Sequence, residues 1–490
     1  MVRIDKRPLS LYVHSPFCKA KCNYCDFLSF GGCGYSEQKQ YVSALCKEIE
    51  AYRCVSREYV IQTIFFGGGT PSFVEASFIE QIMQTIRSVF EIAPQAEITI
   101  EGNPDSLLKD KLSVYRRAGV NRLSIGLQSA NDELLKVLGR VHNYDQFVAA
   151  YSSARQVGFS NINIDIMSGL PGESKESYVR TLAKVVELQP EHISAYSLIV
   201  EEGTPLCDND DLLDLLPSEE IDRQLYAKTK MLLKNSGYDR YEISNYSKKG
   251  YECQHNLVYW TGGEYLGVGL GASSYLQVWF DDKHSERIRF HGVESMDEYI
   301  GRFSNCEGMQ EDDYTSVYHY YESAINGFES GESNSDERDF DNSNYNEGNS
   351  YDIEDTDIDD IYDIYEGMEE SLGMTIGMDL SYDSDCSNLK RYRECENNVL
   401  LEFVRDYYRD LQFLKRKDEM EEFMFLGLRC TNGVSKQEFK SRFGVDMESV
   451  YGRVIDKYVE QQMLIIQEDR IYLSDAGIDV SNVVMAEFML

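Results

Sequence analysis

Three cysteines, Cys18, Cys22 and Cys25, stand at C-x3-C-x2-C spacing directly after the run Leu11-Tyr12-Val13-His14. Three thiolates packed that tightly can hold three corners of an iron–sulfur cubane and leave the fourth iron without a protein ligand. An open iron can bind a small molecule and pass it an electron, so the spacing points to redox chemistry. A structural zinc site would want four closed ligands, and no fourth Cys or His follows at close range. Disulfides fit poorly, because three cysteines leave one unpaired and nothing marks the chain as secreted. Lys19, Lys21 and Asn23 give the segment the polarity of an exposed loop rather than of three buried thiols. Cys33 is near enough to be kept in view.

A second candidate is Phe65-Phe66-Gly67-Gly68-Gly69-Thr70-Pro71-Ser72. Three glycines let backbone approach a ligand closely and offer bare N–H groups. Alone, the same run is equally a tight strand-to-helix turn.

Both candidates need elements to position them. The first two hundred residues repeat a short β-rich run, a polar or glycine turn and a helical stretch. Strands are expected at Leu9–His14, Thr63–Phe66, Glu97–Glu101, Arg122–Leu127, Asn161–Met167 and His192–Ile199, with helices near 36–53, 77–90, 106–118, 131–138, 145–157 and 174–188. Alternating β and α elements imply a parallel sheet. Six units are too few for a closed eight-fold barrel, so the expectation is an α/β fold with an open or partial (β/α)6 barrel over 1–216. Ligand sites in such folds gather at the C-terminal ends of the strands. That rule brings the cysteine loop, the glycine run and Glu101 to one face.

A second region, 217–306, opens with a helix near 217–236 and carries Cys253-Gln254-His255-Asn256 and a glycine-rich run at 262–272. Residues 307–392 change character. From Glu307 to Leu389 the chain has 25 Asp or Glu against one basic residue, Arg338. This is expected to be an acidic, low-complexity, disordered insertion, with one short ordered piece near 364–378. Over 393–490 globular patterning returns: helices at Met420–Cys430, Lys436–Phe443 and Asp446–Gln461, then a hairpin through Leu464–Ile466 and Ile471–Leu473. Helices followed by a hairpin suggest a winged-helix-like α+β domain.

The 490 residues carry a formal net charge of −36. Without a basic stripe, that charge argues against nucleic acid and anionic membrane surfaces as partners. No signal-peptide pattern and no uncharged run of membrane-spanning length is found, so a cytoplasmic protein is expected, touching membrane only through an acceptor.

Taken in order, the motifs resemble the radical S-adenosylmethionine (SAM) superfamily. The resemblance rests on the cysteine loop, Gly67–Ser72, Glu101-Gly102-Asn103-Pro104, Ser124–Ser129, Leu138-Gly139-Arg140, Asn163–Gly172 and His255-Asn256-Leu257-Val258-Tyr259-Trp260. The nearer likeness is to the oxygen-independent coproporphyrinogen III oxidase group and, within it, to HemW-type heme chaperones. It implies that Cys18, Cys22 and Cys25 ligate a [4Fe-4S] cluster whose open iron binds SAM. It implies SAM contacts from Tyr12, Tyr24, Gly68, Gly69, Thr70, Glu101, Gln128, Arg140 and Asp165, and a heme role for His255, with Tyr259 and Trp260 lining the porphyrin. Capping and ion-pair roles are the plainer alternatives for Glu101, Asp165 and Arg140; a hydrogen-bonded core position is the plainer one for His255. Two departures separate the chain from the oxidase pattern: Phe27 stands where a further cysteine follows two positions after the third, and only seventeen residues precede Cys18. Both match the chaperones, which hand heme to an acceptor protein. A reductant protein is a further expected partner, and oxidative decarboxylation of coproporphyrinogen III is the alternative activity. A different radical SAM enzyme, its substrate recruited by the acidic insertion, is a third.

Overall fold

The computed structural model describes residues 6–53, 55–280, 284–304, 306 and 398–489. The expected acidic insertion at 307–392, with its ordered piece near 364–378, lies outside the described residues. Those described belong to one compact unit.

Six strands form the heart of the sheet: β1 (Arg7–Ser15), β2 (Tyr59–Gly68), β3 (Glu91–Gly102), β4 (Arg122–Gln128), β5 (Ile162–Ser168) and β6 (His192–Ser197). Each pairs in parallel with the next. Helices cross between them, as the βα rhythm requires. The sequence expectation of a partial (β/α)6 arrangement is met. Strands β2 and β3 begin earlier than expected because Tyr59–Ile61 and Glu91–Ile92 also join the ladder.

Alternation decides which side chains face where. Leu11, Phe66, Ile100, Ile125, Ile164 and Ile193 lie on one face and are fully buried. Helices such as Ala76–Val89 cover that face; it buries Phe78, Ile79, Ile82, Met83 and Ile86, a stripe at helical spacing. The opposite face carries Tyr12, Thr63, Glu101, Arg122, Asp165 and His192. The fold therefore has an apolar outer layer and a polar interior, and the candidate residues Tyr12, Glu101 and Asp165 lie on the interior face.

The expected second region, 217–306, supplies strands to both edges of this same sheet. Tyr265–Val268 pairs in parallel with β1, Ser273–Trp279 and Ser285–His291 follow antiparallel, and Arg409–Phe413 from the expected C-terminal region closes this edge. At the other edge Asn245–Ser247 pairs with β6, then Asp239–Arg240 with it, giving twelve strands.

After Arg416–Gly427 the chain forms the expected helices Lys436–Phe443 and Met447–Glu460 and the hairpin Leu464–Gln467/Arg470–Leu473. A third short strand, Val434–Ser435, pairs with the hairpin. Met424, Phe439, Tyr451, Ile471 and Phe488 fill its core. Among the described residues no helix is long and apolar enough to cross a membrane.

Candidate cluster and cofactor site

The cysteine loop leaves β1 at Ser15. Phe17–Cys18 pairs with Phe30–Gly31, which closes the loop on itself. The glycine run lies against it: Gly69 N–H donates to Ser15 O at 2.8 Å and Thr70 N–H to Phe17 O at 2.8 Å. Only glycine fits at 69, where a Cβ would meet Phe17 O at 2.9 Å and Cys18 Sγ at 3.1 Å. Gly68 has φ +107°, and a Cβ there would come within 2.6 Å of the His14 ring.

Polar side chains link this loop pair to the next strands. Cys18 Sγ lies 3.4 Å from Thr70 Oγ1, which accepts from Asn103 Nδ2 at 3.1 Å. Arg140 Nη2 donates to Asn103 Oδ1 at 2.6 Å and to Gly126 O at 2.7 Å, while Nη1 points at Cys22 Sγ, 3.6 Å away. The sequence offered an ion pair for Arg140. The fold instead sets its guanidinium against an amide oxygen, a carbonyl and a thiol, and leaves Nε buried without a partner. Tyr24 packs on Leu134, Leu138 and Leu170. Asn103 and Asn23 escaped the sequence reading of roles. Asn23 ties the cysteine loop to two others, through its N–H to Leu138 O at 3.0 Å and its O to Leu206 N–H at 2.8 Å.

Deeper in the interior, Glu101 and Asp165 face each other across the sheet. Burial, with the Asp165 charge, pushes the Glu101 carboxyl up to about 8 against the pull of the Gly68 N–H and Arg122. Burial also raises Asp165, although Ser124 Oγ at 2.9 Å and Asn163 Nδ2 at 2.8 Å donate to it. Gln128 has φ +69°, in the left-handed region that a non-glycine residue rarely enters. It ends β4 at a register slip after Gly126. Such a strained turn at a strand end beside Arg140 marks a site where geometry outweighs local comfort. Tyr12 sits on β1 in the same interior, its hydroxyl 3.1 Å from His14 Nδ1.

His255 also lies inside. It is 1% exposed and stacks on Phe65 at 5.0 Å between centroids. Thr63 Oγ1 donates to Ser10 Oγ and therefore accepts from His255 Nδ1–H at 2.7 Å. That fixes the tautomer: Nε2 carries the lone pair and accepts from the Tyr259 hydroxyl at 2.9 Å. Burial, with the Arg122 charge, pushes the imidazole down to about 3, so the ring is neutral. Both ring nitrogens are thus hydrogen-bonded to protein, as in the core position that is the plainer alternative to a heme role. A heme iron would reach Nε2 only after Tyr259 had left it. Trp260 lies under the Arg429 guanidinium, 4.3 Å from its ring centroid.

Residues 12–185 match the profile of the Radical SAM superfamily, and residues 414–480 that of the HemN C-terminal domain. The chain is 40% identical over 266 residues to heme chaperone HemW of Buchnera aphidicola, covering 54% of this chain and 69% of that protein. The chain belongs to the HemW family. Against HemW of Escherichia coli the identity is 39% over 265 residues, covering 54% of this chain and 69% of the relative. Against HemW of Lactococcus lactis it is 27% over 486 residues, covering 99% and 98%. Among solved structures, coproporphyrinogen III oxidase (HemN) of Escherichia coli, described as a radical SAM enzyme, superposes with a TM-score of 0.68. It covers 100% of this chain and 91% of its own at 19% identity, a likeness of fold.

The superfamily implies a [4Fe-4S] cluster and SAM, and the residues present suit both. Cys18, Cys22 and Cys25 are all free thiols, on one loop against a glycine cradle no side chain could occupy. Among the described residues no three Cys, His, Asp or Glu converge on a single ion. A cubane does not need that, because each thiolate bonds a different iron.

Proposed function

We propose that this HemW-family chain is a heme chaperone that carries a [4Fe-4S] cluster and SAM and passes heme to an acceptor protein. The observation that carries the reading is likeness over 99% of the chain to a protein named heme chaperone, with the cysteine loop and glycine run intact. Cys18, Cys22 and Cys25 are the cluster ligands in this proposal. Tyr12, Tyr24, Gly68, Gly69, Thr70, Glu101, Gln128, Arg140 and Asp165 form the SAM surface. A cluster held by Cys18, Cys22 and Cys25 would supply a one-electron donor and an open iron. The chain's own residues do the rest. Gly68 and Gly69 admit the methionyl end, Asp165 accepts from ribose hydroxyls, and Arg140 holds positive charge beside Cys22. The apolar outer layer keeps water from the polar interior. Reduced thiols suit a cytoplasmic setting.

Glu101 links this site to pH. With its carboxyl at about 8 it holds a proton at neutrality. Pairing with the SAM ammonium group as an anion requires that proton to leave. SAM affinity is therefore expected to rise by up to about tenfold per pH unit below about 8 and to level off above it. Calorimetry in two buffers of different ionisation enthalpy reads the released proton directly. Glu101→Gln should flatten the profile; a wild-type titration without proton release would remove Glu101 from the SAM site.

The test of the function itself is anaerobic. Cluster-reconstituted protein should bind about one heme per chain saturably, and should yield no protoporphyrinogen when given coproporphyrinogen III, SAM and a reductant. Formation of protoporphyrinogen together with 5′-deoxyadenosine would establish the oxidase activity instead.

A further inference from the structure

His255 is closed off in the interior, so the chaperone reading needs another seat for the ring. The mouth of the sheet, at the C-terminal ends of the strands, offers one. Three loops meet there through Asn23: the cysteine loop after β1, the turn Leu138–Val141 beyond β4, and the segment Leu198–Leu206 after β6. Asn23 N–H bonds Leu138 O, Asn23 O accepts from Leu206 N–H, and Gly139 (φ +74°) leaves only 3.1 Å to Asn23 for a Cβ. Each loop presents large apolar side chains to solvent: Phe27 at 62% and Phe30 at 36% exposed, Val141 at 43%, Ile199 at 68%. Exposed apolar side chains on three loops that are tied to one another are the raw material of a binding surface rather than scattered surface residues.

Charge selects the occupant. In a chain of net charge −36, Lys21 stands exposed on this loop. Its Nζ donates to Phe27 O at 3.1 Å, and no carboxylate among the described residues pairs with it. A flat, apolar ring bearing carboxylates matches an apolar rim whose ammonium group is held by a backbone carbonyl and by no carboxylate among the described residues. We propose that heme docks across this mouth, its ring on Phe27, Phe30, Val141 and Ile199 and a propionate on Lys21. The proposal rests on the heme-chaperone reading and locates its ligand beside the cysteine loop, not at His255.

Val141 and Ile199 lie outside the cysteine loop, so both can change without touching a thiol. Anaerobic heme titration of cluster-reconstituted protein, followed by visible absorption, would compare wild type with the double variant Val141→Ser/Ile199→Ser and with Lys21→Glu. The double variant should bind heme at least about tenfold more weakly while keeping its iron content and SAM affinity. Lys21→Glu should weaken heme but not a porphyrin esterified at both propionates. Wild-type affinity in the double variant would overturn the seat, as would loss confined to His255→Gln. Light scattering reads a further occupant: self-association abolished by the double variant, with heme affinity unchanged, would make the rim an interface between copies and overturn the proposal. A wild type that takes no heme would overturn the chaperone reading, a failure distinct from the others.

Discussion

Cys22→Ala is expected to leave the chain without its cluster: iron after anaerobic reconstitution should fall from about four atoms per chain to nearly none. The size of the effect follows from ligand count. A cubane held by three thiolates already has one open iron, and removing a second ligand leaves two irons exposed to water and exchange. The surroundings of Cys22 cannot substitute. Arg140 Nη1 at 3.6 Å is a cation, and Thr70 Oγ1 lies against Cys18. Cys33→Ala is the matched control. Cys33 lies two residues past Gly31, the partner of Cys18 in the short ladder, and is half-buried. Its loss should leave iron content unchanged. Equal loss of iron in both variants would displace Cys22 from its unique role.

Glu48 carries the second large effect, on stability. It is fully buried on the helix Tyr35–Ala51 and accepts hydrogen bonds from Gly269 N–H at 2.8 Å, from the Tyr408 hydroxyl at 2.5 Å and from the Tyr299 hydroxyl. Tyr299 precedes the acidic segment in the chain and Tyr408 follows it, so one carboxyl pins both flanks. Tyr41 completes the knot by donating to His14 O at 2.8 Å, just before the cysteine loop. Glu48→Ala would strand three buried donors and open a cavity, a cost of about 4 kcal/mol. Denaturant unfolding with circular dichroism measures it, and a change below about 1 kcal/mol would show that the knot holds little.

The pH dependence of that knot has a definite sign. Burial pushes the Glu48 carboxyl up to about 7, more than its three donors pull it down. A raised acid holds its proton more tightly when folded. Its stabilising effect is therefore full below the ordinary carboxyl range and is lost as pH rises toward about 7. Against Glu48→Gln, whose side chain does not titrate, the wild type should lose about 3 kcal/mol of relative stability across that window. A difference that does not vary with pH would mean the carboxyl is already neutral or already ionised throughout.

Much of this was legible in the residues alone. The period-two strands, the stripes such as Phe78–Ile86 and the glycine after a strand are local patterns, and the six-unit parallel sheet followed from their order. The cysteine spacing, likewise local, pointed to the radical SAM superfamily that residues 12–185 match. The short third strand at Val434–Ser435 was missed because two residues carry no periodicity. Other features could be read only from the fold. His255 resembles a ligand as a motif, yet its neighbours Thr63, Phe65 and Tyr12 come from strands about two hundred residues away, and they close it in. For Arg140 the motif implied a SAM contact, with an ion pair as the plainer alternative, and only the fold brings Asn103, Gly126 and Cys22 to it. Glu48 had no mark in the sequence, since Gly269, Tyr299 and Tyr408 all lie more than two hundred residues from it. The sequence by itself determined the six-unit sheet and the place of the cysteine loop after its first strand, because period and spacing act between near neighbours. Only the tertiary structure decided which buried polar group each one satisfies, because away from water a donor takes whichever acceptor the packing delivers.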